Sequence, residues 1–239
     1  MMSFKILLRN LVALSLATTI TPILAQSSSA LCSELNSLNL PAHISQIVLT
    51  QPITEIQARI YLCQKTNHSW HVLPQGSFPA VIGKHGIALV GEKKEGDLKT
   101  PEGLYAIGEA FGSEPLALKM DYKYITAADK FVDDVDSKHY NQWVFGATDA
   151  HSYESMLIPL YKYGAIIQYN KHPIVPHLGS AIFLHIWRSS DQGTSGCIAM
   201  AEKNLLKMLH WLDKKQDPHI KILTLSAERL VPPPPEQNQ

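Results

Sequence analysis

Short apolar runs dominate the pattern of hydrophobic and polar positions along this chain. Each run is rich in Val, Ile, Tyr, Phe or Trp and is separated from the next by Gly, Pro, Asn or Asp, which is typical of β-strands. The runs are "SQIVLTQ", "ARIYLCQ", "WHVLP", "PAVIG", "GLYAIGEAF", "YGAIIQYN", "SAIFLHIW" and "IKILTL".

Only one segment has a long helical period. In residues 201–213, Leu205, Leu209 and Leu212 recur on one side of an amphipathic helix. Two other segments are less clear, since "EIQARIYLC" fits both periods and "ESMLIPLY" fits a short helical turn that Pro159 ends. Many strands with one helix late in the chain predict a mostly β fold.

The strand "SAIFLHIW" places a histidine among aromatic side chains. Alternation sorts its residues onto two faces, with Ile182, Leu184 and Ile186 on one and Phe183, His185 and Trp187 on the other. The segment "RSSDQGTSG" then leads to Cys197, twelve positions after the histidine. That length is sufficient for a compact loop to fold the thiol onto the imidazole.

Cys197 and His185 together suggest an activated thiol nucleophile. A free thiol is mostly protonated at neutral pH, and the thiolate is the reactive species. A neighbouring imidazole removes the proton during attack and returns it to the leaving group. Gly193 and Gly196 give the loop the backbone freedom for a close approach. The backbone amides of Gly196 and Cys197 are the expected donors to a developing oxyanion.

The beginning of the chain resembles a secretory signal. Residues 1–25 contain Lys5 and Arg9, then the apolar run "LVALSLATTI" and a small residue at Ala25. We expect cleavage after Ala25, with Ala30 as the second choice, and a periplasmic or secreted protein with no transmembrane anchor after cleavage. An uncleaved anchor is the alternative, although the apolar run is short for a bilayer.

The remaining chain divides into three expected parts. Residues 26–44 form an N-terminal lead-in, residues 45–226 form one catalytic domain, and residues 227–239 form an extended proline-rich tail. The 21 basic and 21 acidic residues of the whole chain balance. Loss of Lys5 and Arg9 with the signal leaves 19 basic and 21 acidic residues. A near-neutral domain lacks the electrostatic signature of a nucleic-acid partner.

The chain has three cysteines. An exported protein with an odd number is expected to pair two of them and leave one free. Cys32 and Cys63 both lie in the N-terminal quarter, whereas Cys197 is distant and has a histidine nearby, so we predict a Cys32–Cys63 disulfide. The alternative is that Cys63 is a buried small apolar residue and Cys32 is free.

The motifs around the histidine and cysteine resemble those of the L,D-transpeptidases, the YkuD-type domain. The resemblance rests on "FLHIW…TSGCIAM" before an amphipathic helix, with "GKHGI", "KKEGDLKTPEGLYAIG", "YNQW" and "IIQYN" upstream, and it runs from Gln46 to Leu225. It implies that Cys197 is the nucleophile and His185 the proton donor and acceptor. Thr194, Ser195 and Gly196 then form the loop before the nucleophile.

The resemblance also implies a substrate and a fold. Family members cut an L,D-peptide bond of the peptidoglycan stem, after the L-centre of diaminopimelate and before a terminal D-alanine. The cysteine holds the stem as a thioester, and either an amine of a second stem or water attacks it. The fold implied is a mixed-sheet β-sandwich in which a backbone carbonyl orients the histidine. No cofactor or metal is implied.

This sequence departs from the family pattern at two positions. Ser195 stands where many members have a second histidine, and Ala199 stands where many have an arginine or asparagine. The loop between the histidine and the cysteine is also shorter than in the better-known members. These departures bear on the choice of acceptor, and they leave L,D-carboxypeptidase activity, or a catalytically weak wall-binding domain, as alternatives.

Several other roles remain open for residues near the motif. Trp187 and Arg188 are candidates for lining the cleft and meeting a stem carboxylate. Ser195 is a candidate serine nucleophile, although no nucleophile elbow accompanies it. A zinc site would draw on His177, His185 and Cys197, but their spacing matches no familiar ligand pattern. Asp191 is expected to be a solvated turn residue.

Overall fold

The computed structural model describes residues 28–225. The signal peptide expected in residues 1–25 and the tail expected in residues 227–239 lie outside these residues.

The described part forms two helices and fourteen strands, together with 3-10 turns at Glu34–Ser37, Pro159–Tyr161 and Lys214–Gln216. The helices are α1 (Ser28–Ser33) and α2 (Glu202–Trp211). The strands are β1 (Gln46–Pro52), β2 (Gln57–Thr66), β3 (Ser69–Val81), β4 (Ile87–Ala88), β5 (Thr100–Pro101), β6 (Gly103–Gly112), β7 (Tyr122–Tyr124), β8 (Asp129–Val132), β9 (Trp143–Phe145), β10 (Tyr153–Ser155), β11 (Tyr163–Ile167), β12 (Phe183–Ile186), β13 (Ile198–Met200) and β14 (His219–Ile222).

The main sheet is mixed and closes on itself. Its order is β11-β12-β13-β3-β2-β1-β14-β6-β7, and β11 also pairs with β6. The pairs β1–β14, β12–β13 and β6–β7 are parallel, and the other pairs are antiparallel. The mostly β prediction, with one main helix near the C-terminus, is therefore confirmed, and the two layers of the expected sandwich are continuous through the β11–β6 pairing.

Helix α2 covers one side of the closed sheet. The predicted helical residues Leu205, Leu209 and Leu212 are fully buried, and Met208 is buried with them. They pack in the main core with apolar residues of the strands, among them Leu184. Burial of a leucine side chain is worth about 1.5–3 kcal/mol, so this helix is held by packing rather than by its ends.

Two local predictions need correction. "WHVLP" and "PAVIG" were expected to be separate strands, but both belong to β3, which continues through Gly76 with an irregular register against β2. Pro159 does not end a helical turn but begins the Pro159–Tyr161 turn, because a first-turn residue needs no N–H donor. "EIQARIYLC" contributes to strand β2.

The N-terminal segment is packed onto the sheet. Leu31, Leu35 and Ile44 are buried in a second apolar cluster with Trp70 of β3. The predicted disulfide Cys32–Cys63 is present, with the two Cα atoms 5.6 Å apart, and it ties α1 to β2. Much of the lead-in expected at residues 26–44 therefore packs as part of the folded unit. No helix within residues 28–225 is long and apolar enough to cross a membrane.

Removal of the disulfide is expected to destabilise the protein. It closes a loop with a sequence separation of 31, so its loss should lower the free energy of unfolding by about 3–4 kcal/mol on the chain-entropy relation. Denaturation midpoints of the wild type and of Cys32→Ala/Cys63→Ala measure this difference. In denaturant without reductant we expect one reactive thiol per chain, that of Cys197, and three after reduction. Two or more thiols before reduction would contradict the pairing.

Candidate active site

Strand β12 carries the histidine, and the cysteine immediately precedes the adjacent parallel strand β13. The register pairs Leu184 with Ile198 and His185 with Ala199. Leu184 and Ile198 point into the main core, whereas Cys197 lies in a third apolar cluster that also contains Phe183. Because side chains alternate across a strand, His185 and Cys197 share the face opposite the main core. The two predicted faces of "SAIFLHIW" are therefore confirmed.

A cleft of about 640 Å³ opens over this face. The sequence-predicted residues His185, Trp187, Arg188, Thr194, Ser195 and Cys197 all line it. Ala199, the position that departs from the family pattern, lines it as well. The structure therefore brings most of the predicted site residues together in one space large enough for a peptide.

A backbone carbonyl orients His185. Its Nδ1 donates to the carbonyl oxygen of Ile186 at 2.8 Å, which leaves the other ring nitrogen, Nε2, as the acceptor in the neutral tautomer. The ring of Tyr161 packs against the imidazole of His185 in a T-shaped arrangement, with the two ring centroids 5.3 Å apart. The ring is buried, and this burial lowers the pKa of His185 to about 4. At neutral pH the imidazole is therefore an uncharged base.

The thiol of Cys197 is turned toward the backbone at the start of β12. Its Sγ accepts from the Phe183 amide at 3.3 Å and donates to the Ala181 carbonyl at 3.2 Å. Burial raises the pKa of Cys197 well above its ordinary value, and the nearby Glu154 carboxylate raises it further. The thiol is therefore protonated at neutral pH.

In the described structure, Cys197 and His185 form no hydrogen bond with each other, since the thiol bonds to Phe183 and Ala181 and the imidazole to Ile186. The expectation that the loop folds the thiol onto the imidazole is thus met only in part, since the two groups share a face and a cleft without direct contact. Release of Sγ from its hydrogen bond to the Ala181 carbonyl requires a change of the Cys197 rotamer. Such a rotamer change is a small motion compared with a loop rearrangement.

Two threonine hydroxyls fix the loop before the nucleophile. Thr194 Oγ1 accepts from the Gly196 amide at 3.1 Å and donates to the Cys197 carbonyl at 2.6 Å. Thr100, which is fully buried, donates to the Gly196 carbonyl at 2.8 Å and accepts from the Gly83 amide at 2.9 Å. These bonds explain why "TPEG", whose first residue is Thr100, accompanies the cysteine motif although it lies far away in sequence.

Gly196 is required by its backbone. Its φ of +141° is a conformation that side-chain-bearing residues rarely adopt, and a Cβ there would lie 3.0 Å from the Lys99 carbonyl oxygen. Its amide, which we expected to serve an oxyanion, is already bonded to Thr194. The Cys197 amide has no acceptor among the described residues, so it is the better placed of the two expected donors.

Three titratable residues of the cleft were missed by sequence reasoning. Lys84 follows β3, Glu154 lies on β10, and Tyr161 ends the 3-10 turn, and all three line the cleft. The Tyr161 hydroxyl donates to Glu154 Oε2. Burial is the main cause that raises the pKa of Glu154, and two further carboxylates, Asp133 and Glu95, add to it. No sequence signal marked Glu154, since its three-residue strand lies in a segment that fitted a helical turn.

The remaining candidates differ in their surroundings. Trp187 is half-buried and Arg188 is exposed, so both are accessible to a ligand in the cleft. Ser195 is exposed, and within the described residues its hydroxyl has no histidine or carboxylate partner that would activate it as a nucleophile. Asp191 is exposed and accepts from Ser189, in keeping with a turn residue.

The zinc alternative has no support from side-chain placement. Among residues 28–225, no group of three or more His, Cys, Asp or Glu side chains is arranged to hold a metal ion. His177, His185 and Cys197 therefore do not form a ligand set.

The site thus combines a buried cysteine with a histidine held by a backbone carbonyl on one face of a mixed β-sheet. The family model of the L,D-transpeptidase catalytic domain, YkuD, matches residues 54–221. Because this match covers well over half of the chain, the chain belongs to the YkuD family. The family resemblance predicted from the sequence is thereby confirmed.

Comparisons with individual proteins add little to the family assignment. The crystal structure of the helical cell shape determining protein Pgp2 from Campylobacter jejuni matches with a TM-score of 0.38 and 16% sequence identity. The match covers 76% of this chain and 48% of that chain, so this chain spans about half the length of that protein. No curated protein matches significantly.

Proposed function

We propose that this protein is a peptidoglycan L,D-transpeptidase that forms a thioester between Cys197 and a stem peptide. The observation that carries the proposal is the placement of Cys197 and a neutral His185 on one face of an open cleft. The family assignment supports the same chemistry. Trp187, Arg188 and Ser195 are proposed to contact the peptide, because all three are accessible in the cleft.

The proposed acylation starts from the neutral pair. Cys197 rotates into the cleft, His185 Nε2 takes the thiol proton, and the sulfur attacks the carbonyl carbon of the L,D-peptide bond. The Cys197 amide stabilises the oxyanion of the tetrahedral intermediate. When the carbon–nitrogen bond breaks, the imidazolium gives its proton to the leaving D-alanine amine, and the thioester remains. An amine then attacks the thioester carbonyl while His185 Nε2 takes the proton of the amine. The carbon–sulfur bond breaks, the imidazolium returns the proton to the sulfur, and the cross-link is formed.

A peptidoglycan substrate agrees with an exported protein. The family acts on the cell wall, and a disulfide is stable in oxidising compartments outside the cytosol. We therefore propose that residues 1–25 direct export and that the protein works in the periplasm or outside the cell.

L,D-carboxypeptidase activity is the second candidate, and positions 195 and 199 favour a contribution from it. Ala199 is fully buried beside His185, so it offers no polar group to hold an acceptor amine. Selection of an amine over water depends on positioning that amine near the thioester, and a small misplacement weakens this selection strongly.

We therefore expect measurable hydrolysis to tripeptide alongside cross-linking. Counting tripeptides against cross-linked dimers after incubation with tetrapeptide fragments measures the ratio. Dimers with essentially no tripeptide would contradict this interpretation of the two positions.

The experiment that tests the proposed function is mass analysis of stem peptides from wall sacculi incubated with the purified protein. Loss of terminal D-alanine with formation of dimers or tripeptides is expected for the wild type and not for Cys197→Ala. A wall-binding domain without catalysis would instead sediment with sacculi, leave the peptides unchanged and resist acylation by a carbapenem.

A further inference from the structure

Glu154 lies in the cleft without a positive partner. One of its oxygens, Oε2, accepts from the Tyr161 hydroxyl, and within residues 28–225 no lysine, arginine or histidine forms an ion pair with it. A partly buried carboxylate that lacks a counter-charge is costly, because burial removes water that stabilises the charge. A cation that enters the cleft would therefore stabilise the Glu154 carboxylate.

The surroundings of Glu154 add to its attraction for a cation. Asp133 and Glu95 lie near enough to contribute negative potential at the same place. Asp133 Oδ1 is itself buried without a hydrogen-bond partner. The fixed positive charges that line the cleft are Lys84 and Arg188, which belong to other segments, after β3 and after β12. The cleft is therefore lined by both a carboxyl group and basic side chains.

Glu154 is also close to the reacting group. Glu154 and Cys197 line the same cleft, and the hydroxyl of Tyr161 donates to Glu154. Tyr161 packs in the same apolar cluster as Cys197 and against the ring of His185. A cation bound at Glu154 would therefore be carried by a part of the substrate adjacent to the carbonyl that Cys197 attacks.

We propose that Glu154 is a specificity residue that binds a primary ammonium group of the stem peptide in the cleft beside Cys197. This inference rests on the proposed function. The ammonium has two possible sources with the same chemistry, namely the side chain of the donor residue whose carbonyl is attacked and the amine of the acceptor stem. Glu154 Oε1, which has no partner in the described structure, is the acceptor oxygen. Ion pairing with the ammonium holds the donor or the acceptor in register with the thiol.

The test compares Glu154→Gln with the wild type on two tetrapeptides ending in diaminopimelyl-D-alanine. One has a free side-chain ammonium and the other has that amine acetylated. Glutamine keeps the size of the side chain and an oxygen that can accept from Tyr161, but it removes the charge. Release of D-alanine gives kcat/KM for acylation, and the products give the ratio of dimer to tripeptide.

If the donor supplies the ammonium, Glu154→Gln should lower kcat/KM for the free peptide about 10- to 100-fold, as expected for loss of a charged hydrogen bond. The acetylated peptide should react with the two proteins within about twofold. If the acceptor supplies it, kcat/KM for D-alanine release should be unchanged and the ratio of dimer to tripeptide should fall by a similar factor. Equal losses on both donors, or no change in any of these quantities, would overturn the proposal.

Tyr161→Phe is the matched control for a structural role of the pair. It removes the hydroxyl that bonds to Glu154 and keeps the ring that contacts His185, so any loss should be the same for the free and the acetylated peptide. The wild type also separates the two proposals. Failure to release D-alanine from either peptide would contradict the proposed function, whereas release with equal kcat/KM and an unchanged product ratio in Glu154→Gln would contradict only the role of Glu154.

Discussion

Replacing Cys197 by alanine is expected to reduce release of D-alanine from stem peptides to the background rate. The sulfur is the atom that would form the thioester, and no other described side chain in the cleft is arranged as a nucleophile, since Ser195 lacks a base. Loss of a nucleophile typically costs several orders of magnitude in kcat, so a decrease of more than about 1000-fold is expected. Product analysis by mass spectrometry measures it.

Stability must be separated from chemistry in this experiment. Alanine at position 197 leaves the buried Phe183 amide without its acceptor, which should cost about 1–3 kcal/mol. Cys197→Ser is the matched control, because its hydroxyl can still accept from Phe183 and donate to Ala181. We expect the serine variant to be nearly as stable as the wild type and almost as inactive as the alanine variant. Turnover above a few per cent in folded Cys197→Ala would rule out the thiol mechanism.

The features of the site that follow from local sequence were predictable. The alternation in "SAIFLHIW" is sufficient to place His185 opposite the core, because a strand buried on both sides still separates its two faces. The unusual position of Cys197 among three cysteines was sufficient to identify the disulfide. Helix α2 followed from three leucines at helical spacing.

Other features depend on contacts between distant segments, which one sequence does not reveal. Closure of the sheet requires β11 to pair with β6, and neither strand carries a local sign of its partner. The role of Thr100 depends on a bond to Gly196, 96 positions later. Glu154 belongs to a three-residue strand that is too short to produce a periodic pattern, so only the fold places it in the cleft.

The last prediction concerns pH. Because burial holds the pKa of His185 at about 4, the imidazole stays neutral, and competent as a base, at pH values where an ordinary histidine is charged. At pH 5 about 90% of the His185 rings should be neutral, against about 3% for a histidine with the usual pKa of 6.5. The Glu154 carboxyl also titrates in the cleft, with a raised pKa, so the profile is to be measured on the Glu154→Gln variant. In this variant kcat/KM for D-alanine release should be nearly constant from pH 7 to pH 5 and fall by half only near pH 4. An acidic limb near pH 6.5 would contradict a buried neutral base.

The same burial should appear in stability, with a sign that follows from proton binding. The unfolded chain takes up a proton at His185 below pH 6.5, whereas the folded chain does so only near pH 4. The contribution of His185 to the free energy of unfolding is therefore fully present above pH 6.5. It is lost as the pH falls toward 4, by up to about 3 kcal/mol.

Glutamine at this position removes the titrating group, so the difference in free energy of unfolding between the wild type and His185→Gln should decrease by that amount between pH 7 and pH 4. Subtraction of the two proteins cancels the carboxylates that titrate in the same range. A difference that does not change with pH would show that His185 is protonated as readily in the folded protein as in the unfolded chain, and the neutral-pair mechanism would fail with it.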